Sequence, residues 1–177
     1  MNVILQTERL RLRQWRPCDI DQLKCFLQDR EVMYAYEHAF SDEEVLHWLN
    51  WNLSSYQSNG YGLWAIELCG TGEVVGECGL TNQTVAGKVY LEIGYHLMKQ
   101  HWHKGYAIEA ARACKQYTFE KLNQAEAVSI IRDTNIASMN VAIRNGMFVK
   151  KRFIKHYYGI AMPHYLLSIK TNKLYVR

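Results

Sequence analysis

The chain has 177 residues, 49% of them hydrophobic and 21% charged, with a formal net charge of +4. This is the balance of an ordinary globular chain, long enough to bury a good core as one domain over residues 1–177. The charge, from 21 Lys and Arg against 17 Asp and Glu, is too mild to announce nucleic acid, and no window approaches the ~20 apolar residues of a membrane span.

The first residues, Met1 to Arg9, lack the basic start and long apolar run of a signal peptide, so a cytoplasmic location is expected. Five cysteines form no CxxC pair and read as reduced thiols, with Cys78 and Cys114 as small core residues.

Glu8 to Trp15 alternates apolar and polar residues and predicts a strand. Arg9, Arg11 and Arg13 then share one face, which reads as a solvated basic face. Lys150, Lys151, Arg152 and Lys155 form a second basic cluster with the same reading. Pro17-Cys18-Asp19 breaks the strand, and Asp19 is placed to cap a helix over Ile20 to Asp29. An aromatic connector, Tyr34 to Phe40, leads to Ser41-Asp42-Glu43-Glu44, a capping box that opens a helix with Val45, Leu46, Trp48 and Leu49.

Tyr61 to Leu68 and Glu73 to Leu80 are strand-like and joined by Gly70-Thr71-Gly72. Lys88 to Met98 is a longer strand, in which Gly94 suggests a bulge or a close backbone approach. A glycine turn, Trp102-His103-Lys104-Gly105-Tyr106-Ala107, opens a helix to about Lys121 with a small-residue stripe of Ala107, Ala110, Ala111 and Cys114. Ala125 to Ile131 is a strand. Asp133-Thr134-Asn135 caps a helix ending at Asn145-Gly146, and Met147 to Phe153 and Tyr165 to Ile169 are strands. The order predicts an α/β fold with a single mixed, largely antiparallel central sheet flanked by helices. Its elements run strand, two helices, three strands, helix, strand, helix, two strands.

The strand–turn–helix at Trp102 to Ala107 is the strongest chemical signal. A helix N-terminus leaves backbone N–H groups free at the positive end of the helix dipole, a ready cradle for phosphate or pyrophosphate. Gly70-Thr71-Gly72 is no dinucleotide fingerprint, because it precedes a strand and Val75 stands in the place of the third glycine. His96, His101 and His103 match no standard zinc spacing, so no metal is expected.

Taken together, Glu92 to Met98, Trp102 to Ala110, Asn135 to Ser138, Asn145 to Phe148 and the opening Thr7 to Arg13 resemble the GNAT acetyltransferase superfamily. The branch they most resemble includes the ribosomal-protein-alanine N-acetyltransferases. The resemblance runs in order along nearly the whole chain. It implies acetyl-CoA as co-substrate, no metal, and an amine acceptor: a protein N-terminus, the favoured one, a polyamine or an antibiotic amine. It places the pyrophosphate over the turn, with His103, Lys104, Gly105, Tyr106 and Ala107 as contacts. It places the pantetheine arm along exposed amides from Leu97, Met98 and Lys99, near Gly94, with Asn135 beside it. An amide there also becomes a candidate oxyanion donor.

Glu92 matches a carboxylate that some members use as general base, and an equally good reading is a structural carboxylate. An α-amino group with a pKa near ~8 needs less help than a lysine near ~10.4. Ser138 matches the serine given the role of acid to the departing thiolate in this branch; its bland reading is a cap-turn serine. Two departures stand out. His103 occupies a place where a glycine is common, and Ala142 occupies the place of the usual tyrosine acid. They leave open a non-catalytic module that binds CoA or a protein partner.

Overall fold

The fold is seen in a computed structural model that describes residues 3–171. Eight strands form one sheet in the order β1–β2–β3–β4–β5–β6–β8–β7. They are β1 (Val3–Gln6), β2 (Leu10–Arg13), β3 (Leu63–Leu68), β4 (Val74–Val85), β5 (Lys88–Leu97), β6 (Glu126–Arg132), β7 (Phe148–Tyr157) and β8 (Ile160–Lys170). Only β5 and β6 pair in parallel; every other neighbouring pair is antiparallel. Among the described residues four α-helices accompany the sheet: α1 (Ile20–Leu27), α2 (Asp42–Asn59), α3 (Tyr106–Glu120) and α4 (Ile136–Arg144). This is the mixed single-sheet architecture expected from the sequence, with one additional strand at its start.

That strand, β1, folds back on β2 through a turn closed by the Thr7 amide on the Leu10 carbonyl (2.8 Å) and the Leu10 amide on Thr7 Oγ1 (3.0 Å). The turn uses Glu8 and Arg9, so the strand expected from Glu8 begins only at Leu10. At the other end, β7 and β8 run longer than expected and meet at Tyr158-Gly159, both at positive φ (50° and 77°), the backbone of a tight hairpin turn. Pro163 lies inside β8 without breaking it. Pairing with β6 ends at Arg132↔His164; just beyond it the Pro163 carbonyl accepts the Asp133 amide (3.0 Å), and no amide is needed from Pro163 on that side.

Strand alternation sends side chains to two cores. Leu10, Leu12, Trp64, Ile66, Leu91 and Ile93 pack with Ala110, Ala111 and Cys114 of α3 and Ala142 of α4. The small-residue stripe of α3 lets that helix lie close on the sheet. Trp15, Ala65 and Val74 pack with Leu23, Phe26 and Leu27 of α1 and Val45 and Leu49 of α2. Cys78 and Cys114 are both fully buried with their sulfurs 3.5 Å apart.

Three sequence expectations are corrected here. Arg13 does not lie on a solvated face: it is 2% exposed and ion-paired to Asp19 and Glu67, each at 2.6 Å. The Pro17–Asp19 turn folds Asp19 back over β2, so its carboxylate serves Arg13 and Arg16 and makes no side-chain cap for α1. Nor does Gly94 mark a bulge. The β4–β5 ladder runs unbroken from Val85↔Lys88 to Gly76↔Leu97, with Gly94 opposite Gly79. The Ser41 capping box forms as expected, with Glu44 N donating to Ser41 Oγ (3.2 Å) and Ser41 N to Glu44 Oε2 (2.8 Å).

Candidate active site

β5 and β6 are joined by one bridge, Glu92↔Val128, and then part. Beyond it, the Ser129 hydroxyl donates to the Ile93 carbonyl at 2.8 Å. A cavity of about 770 Å³ opens in the gap. The Met98 amide donates to Val75 O at 2.9 Å, toward β4. Strand alternation therefore turns the backbone groups of Tyr95 and Leu97 the other way, toward the gap. The Leu97 carbonyl there accepts Trp102 Nε1 at 2.9 Å, which pins the following turn to the strand end. The expectation of exposed amides from Leu97 through Lys99 is thus corrected at Met98, whose N–H is used inside the sheet. Lys99 opens a single 3-10 turn, its carbonyl accepts the Trp102 amide, and its ammonium pairs with Glu31 away from the cavity.

The Trp102–Ala107 turn carries two left-handed residues, His103 (φ 61°) and Gly105 (φ 81°), around Lys104. The first explains why a glycine suits position 103: this backbone is strained for any residue with a Cβ. Helix α3 starts at Tyr106 with no side chain capping it. Its first-turn amides stay available to an anion. His103, Gly105, Tyr106 and Ala107 line the cavity, whereas the Lys104 side chain does not.

Sequence reasoning missed what holds this turn. Arg9 donates to the Lys104 carbonyl (3.0 Å), pairs with Glu109 (2.6 Å) and lies 4.8 Å from the Tyr106 ring centre. Thr7 adds a 2.6 Å bond to the same Glu109. A residue read as part of a solvated basic face is a brace for the loop.

Glu92, Asn135 and Ser138 all face the same cavity. Glu92 accepts Thr81 Oγ1 at 3.0 Å and the Ile130 amide at 3.1 Å. Burial raises its pKa, against the opposing pull of Lys155 and those two hydrogen bonds. Ser138 sits in the first turn of α4, where its amide donates to Asn135 Oδ1 (3.0 Å) and its carbonyl accepts the Tyr95 hydroxyl (2.8 Å). Asn135 is therefore the N-cap of α4, and the same oxygen accepts the Tyr34 hydroxyl at 2.6 Å. Ala142 is buried in the core, so that position supplies no acid.

The aromatic connector forms the opposite wall, with Tyr34 and Tyr36 lining the cavity. Glu37, at φ 71°, is ion-paired to Arg132 of β6 and ties the connector across the site. Of His96, His101 and His103, the first meets Glu77 and the second Glu73, and no metal-holding cluster occurs among the described residues. No helix among them is long and apolar enough to cross a membrane.

Residues 9–148 match the family described as Acetyltransferase (GNAT) domain. The chain belongs to the GNAT acetyltransferase family. Among its relatives, YkkB of Bacillus subtilis, an uncharacterized protein, is 36% identical over 154 residues, covering 85% of this chain and 88% of that one. An acetyltransferase structure from Agrobacterium tumefaciens matches with a TM-score of 0.80 at 25% identity over 94% of each chain. A ribosomal L7/L12 α-N-protein acetyltransferase solved with coenzyme A matches with a TM-score of 0.78 at 19% identity, over 96% of this chain and 98% of that one. The last likeness is one of fold, and it adds that a GNAT neighbour of this shape holds CoA.

Proposed function

We propose that this GNAT chain, acting as one domain, transfers an acetyl group from acetyl-CoA to a primary amine, with a protein N-terminal amine as the favoured acceptor. The observation that carries this reading is the continuity of the β5–β6 gap with the uncapped start of α3. An elongated thioester arm fits the gap, and a pyrophosphate fits the turn. The groups present suit such a ligand: outward backbone at Leu97, amides at Gly105 to Ala107, and Asn135 and His103 at the rim.

Within this reading, Glu92 holds the incoming ammonium and Ser138 gives a proton to the departing sulfur. Burial of Glu92 suits a carboxylate that exchanges hydration for an ammonium partner. A thiolate with a pKa near ~8.5 leaves without a strong acid, so Ala142 does not forbid the reaction. The preference for an α-amino acceptor draws on the low pKa of that group and on the L7/L12 neighbour, an α-N-protein acetyltransferase. Ala142 is also the observation behind the second reading, a module that binds CoA without turnover.

The test is CoA release from acetyl-CoA with a panel of N-terminal peptides, polyamines and small amines, read with product mass. Release with gain of one acetyl group on an amine supports the proposal. Tight CoA binding with no turnover on any member favours the binding module.

A further inference from the structure

On the α2 side of the cavity lies a chain of hydrogen bonds that the acetyl-CoA site does not use. Glu77 of β4 is fully buried. Its Oε2 accepts Trp15 Nε1 at 3.0 Å, and its Oε1 accepts Trp48 Nε1 at 3.0 Å and faces His96 Nδ1 at 3.0 Å. Glu77 and His96 are direct cross-strand partners, so the sheet register itself sets this contact. The other ring nitrogen of His96, Nε2, meets the Tyr36 hydroxyl at 3.1 Å. The imidazole is packed between Phe26 and Trp48, with ring centres 6.3 and 5.9 Å away. Tyr36 and His96 both line the cavity that holds Glu92 and Ser138.

A carboxylate on Nδ1 fixes the tautomer with its proton there, which leaves the Nε2 lone pair facing Tyr36. The buried carboxylate is then placed to stabilise an imidazolium whenever Nε2 gains a proton. We propose that Tyr36, His96 and Glu77 are the proton relay for the acceptor amine. This rests on the acetyl-transfer reading above and goes beyond it in saying where the proton goes.

In the step, the acceptor ammonium gives one proton to Tyr36 Oη while the Tyr36 proton moves to His96 Nε2. The freed amine nitrogen then bonds to the thioester carbonyl carbon, the C–S electron pair departs on sulfur, and the second proton lost by nitrogen reaches sulfur through the Ser138 hydroxyl, which takes one proton as it gives the other. The imidazolium faces Glu77 and returns its proton to water after product leaves. Burial holds the Tyr36 hydroxyl far above the ordinary phenol range, so the transfer is concerted and passes through no free tyrosinate. Tyr36 is the catalytic residue of the relay; His96 and Glu77 act through it as positioning residues. The other titratable or charged groups around the relay include Tyr34 and Glu37 of the connector, Glu92 on β5, His47 on α2, Arg132 on β6, and Lys155 and Tyr157 on β7.

The test compares wild type, Y36F and H96Q with an N-terminal and a lysine-type acceptor across pH, alongside acetyl-CoA protection against heat. The relay predicts a kcat loss on the order of 10²-fold at pH 7 in both variants, unchanged acetyl-CoA protection, and a loss that shrinks as pH rises. The loss is larger for the lysine-type amine. A loss equal at every pH, or an unimpaired Y36F, overturns the relay while leaving acetyl transfer standing. If H96Q fails to fold, Y36F alone decides. A wild-type protein that binds CoA and acetylates no amine overturns the functional reading and the relay together.

Discussion

Gly105→Ala is the sharpest perturbation of the phosphate turn, because its cost can be worked from the backbone. At φ 81° a Cβ-bearing residue sits in the left-handed region, at about 1 kcal/mol. The added Cβ meets only Arg9 Nη2, at 3.4 Å, the tip of a flexible side chain. The effect is therefore strain and not a clash. For a chain of this size, about 1 kcal/mol lowers Tm by roughly 2–4 °C. The same strain shifts the amides of Tyr106 and Ala107 and loosens the Arg9–Lys104 contact, so acetyl-CoA should bind about tenfold more weakly, or ~1.4 kcal/mol. Thermal unfolding with and without acetyl-CoA, with Kd by calorimetry, measures both. His103→Gly is the matched control. Glycine removes the strain at φ 61° but frees the unfolded chain by a similar amount, so Tm should stay within ~2 °C. Any change in acetyl-CoA affinity then reports the imidazole alone. A Gly105→Ala protein that loses the expected stability yet keeps full acetyl-CoA affinity would refute the placement of the pyrophosphate on this turn.

Three further perturbations probe other parts of the site. A Cβ on Gly94 meets only Leu63 Cδ2 at 3.4 Å, so Gly94→Val should fold normally and obstruct the gap. Acetyl-CoA binding should weaken at least about tenfold with Tm within ~2 °C, and normal binding would put the arm elsewhere. Glu92→Gln should raise KM for the amine more than it lowers kcat. Because burial raises the Glu92 pKa, wild-type stability falls as pH rises from the ordinary carboxylate range through the folded value. The variant should lack that fall, and a matching fall in both proteins would refute it. Glu44 is the opposite case: the Ser41 amide, then His38, holds its pKa down to about 2. Its stabilisation is present above the unfolded carboxylate pKa and is lost as pH falls from there through the folded value of about 2. With the side chain about a third exposed, Glu44→Gln should cost only about 1 kcal/mol at pH 7, vanishing near pH 2, as read by Tm against pH. A difference that is constant with pH would point to something other than the charge.

What could be read from the sequence was local. The Ser41 box, the glycine turn and the strand over Lys88 to Met98 each carry their cause within a few residues, and each stands where expected. The extension of β4 to Val85 did not show, because Thr81 to Thr84 is polar and reads as loop; the long β5 opposite holds it in the sheet. β1 did not show either, because its partner lies only across a tight turn and its four residues carry no period to count.

The charged residues failed for a different reason, and it bears on the site. Arg9, Arg11 and Arg13 have the alternation of a solvated face, yet two of them are fixed by partners in other elements: Glu109 for Arg9, Asp19 and Glu67 for Arg13. A buried arginine is stable only when paired, so its position becomes legible once the carboxylate opposite is known. The same holds for Glu77. In sequence it is one polar residue in a strand; in the sheet it collects two indole N–H groups and an imidazole from the loop after β2, from α2 and from β5. The proposed phosphate cradle was legible because it is made of contiguous backbone. The cluster around Glu77 was not, because it is made of side chains that meet only when β4, β5, α2 and the Tyr34–Tyr36 turn are assembled. In the acetyl-transfer reading, that division puts acceptor variation at Tyr36, Trp48 and their neighbours, whose contacts are set by packing and not by the turn that begins α3.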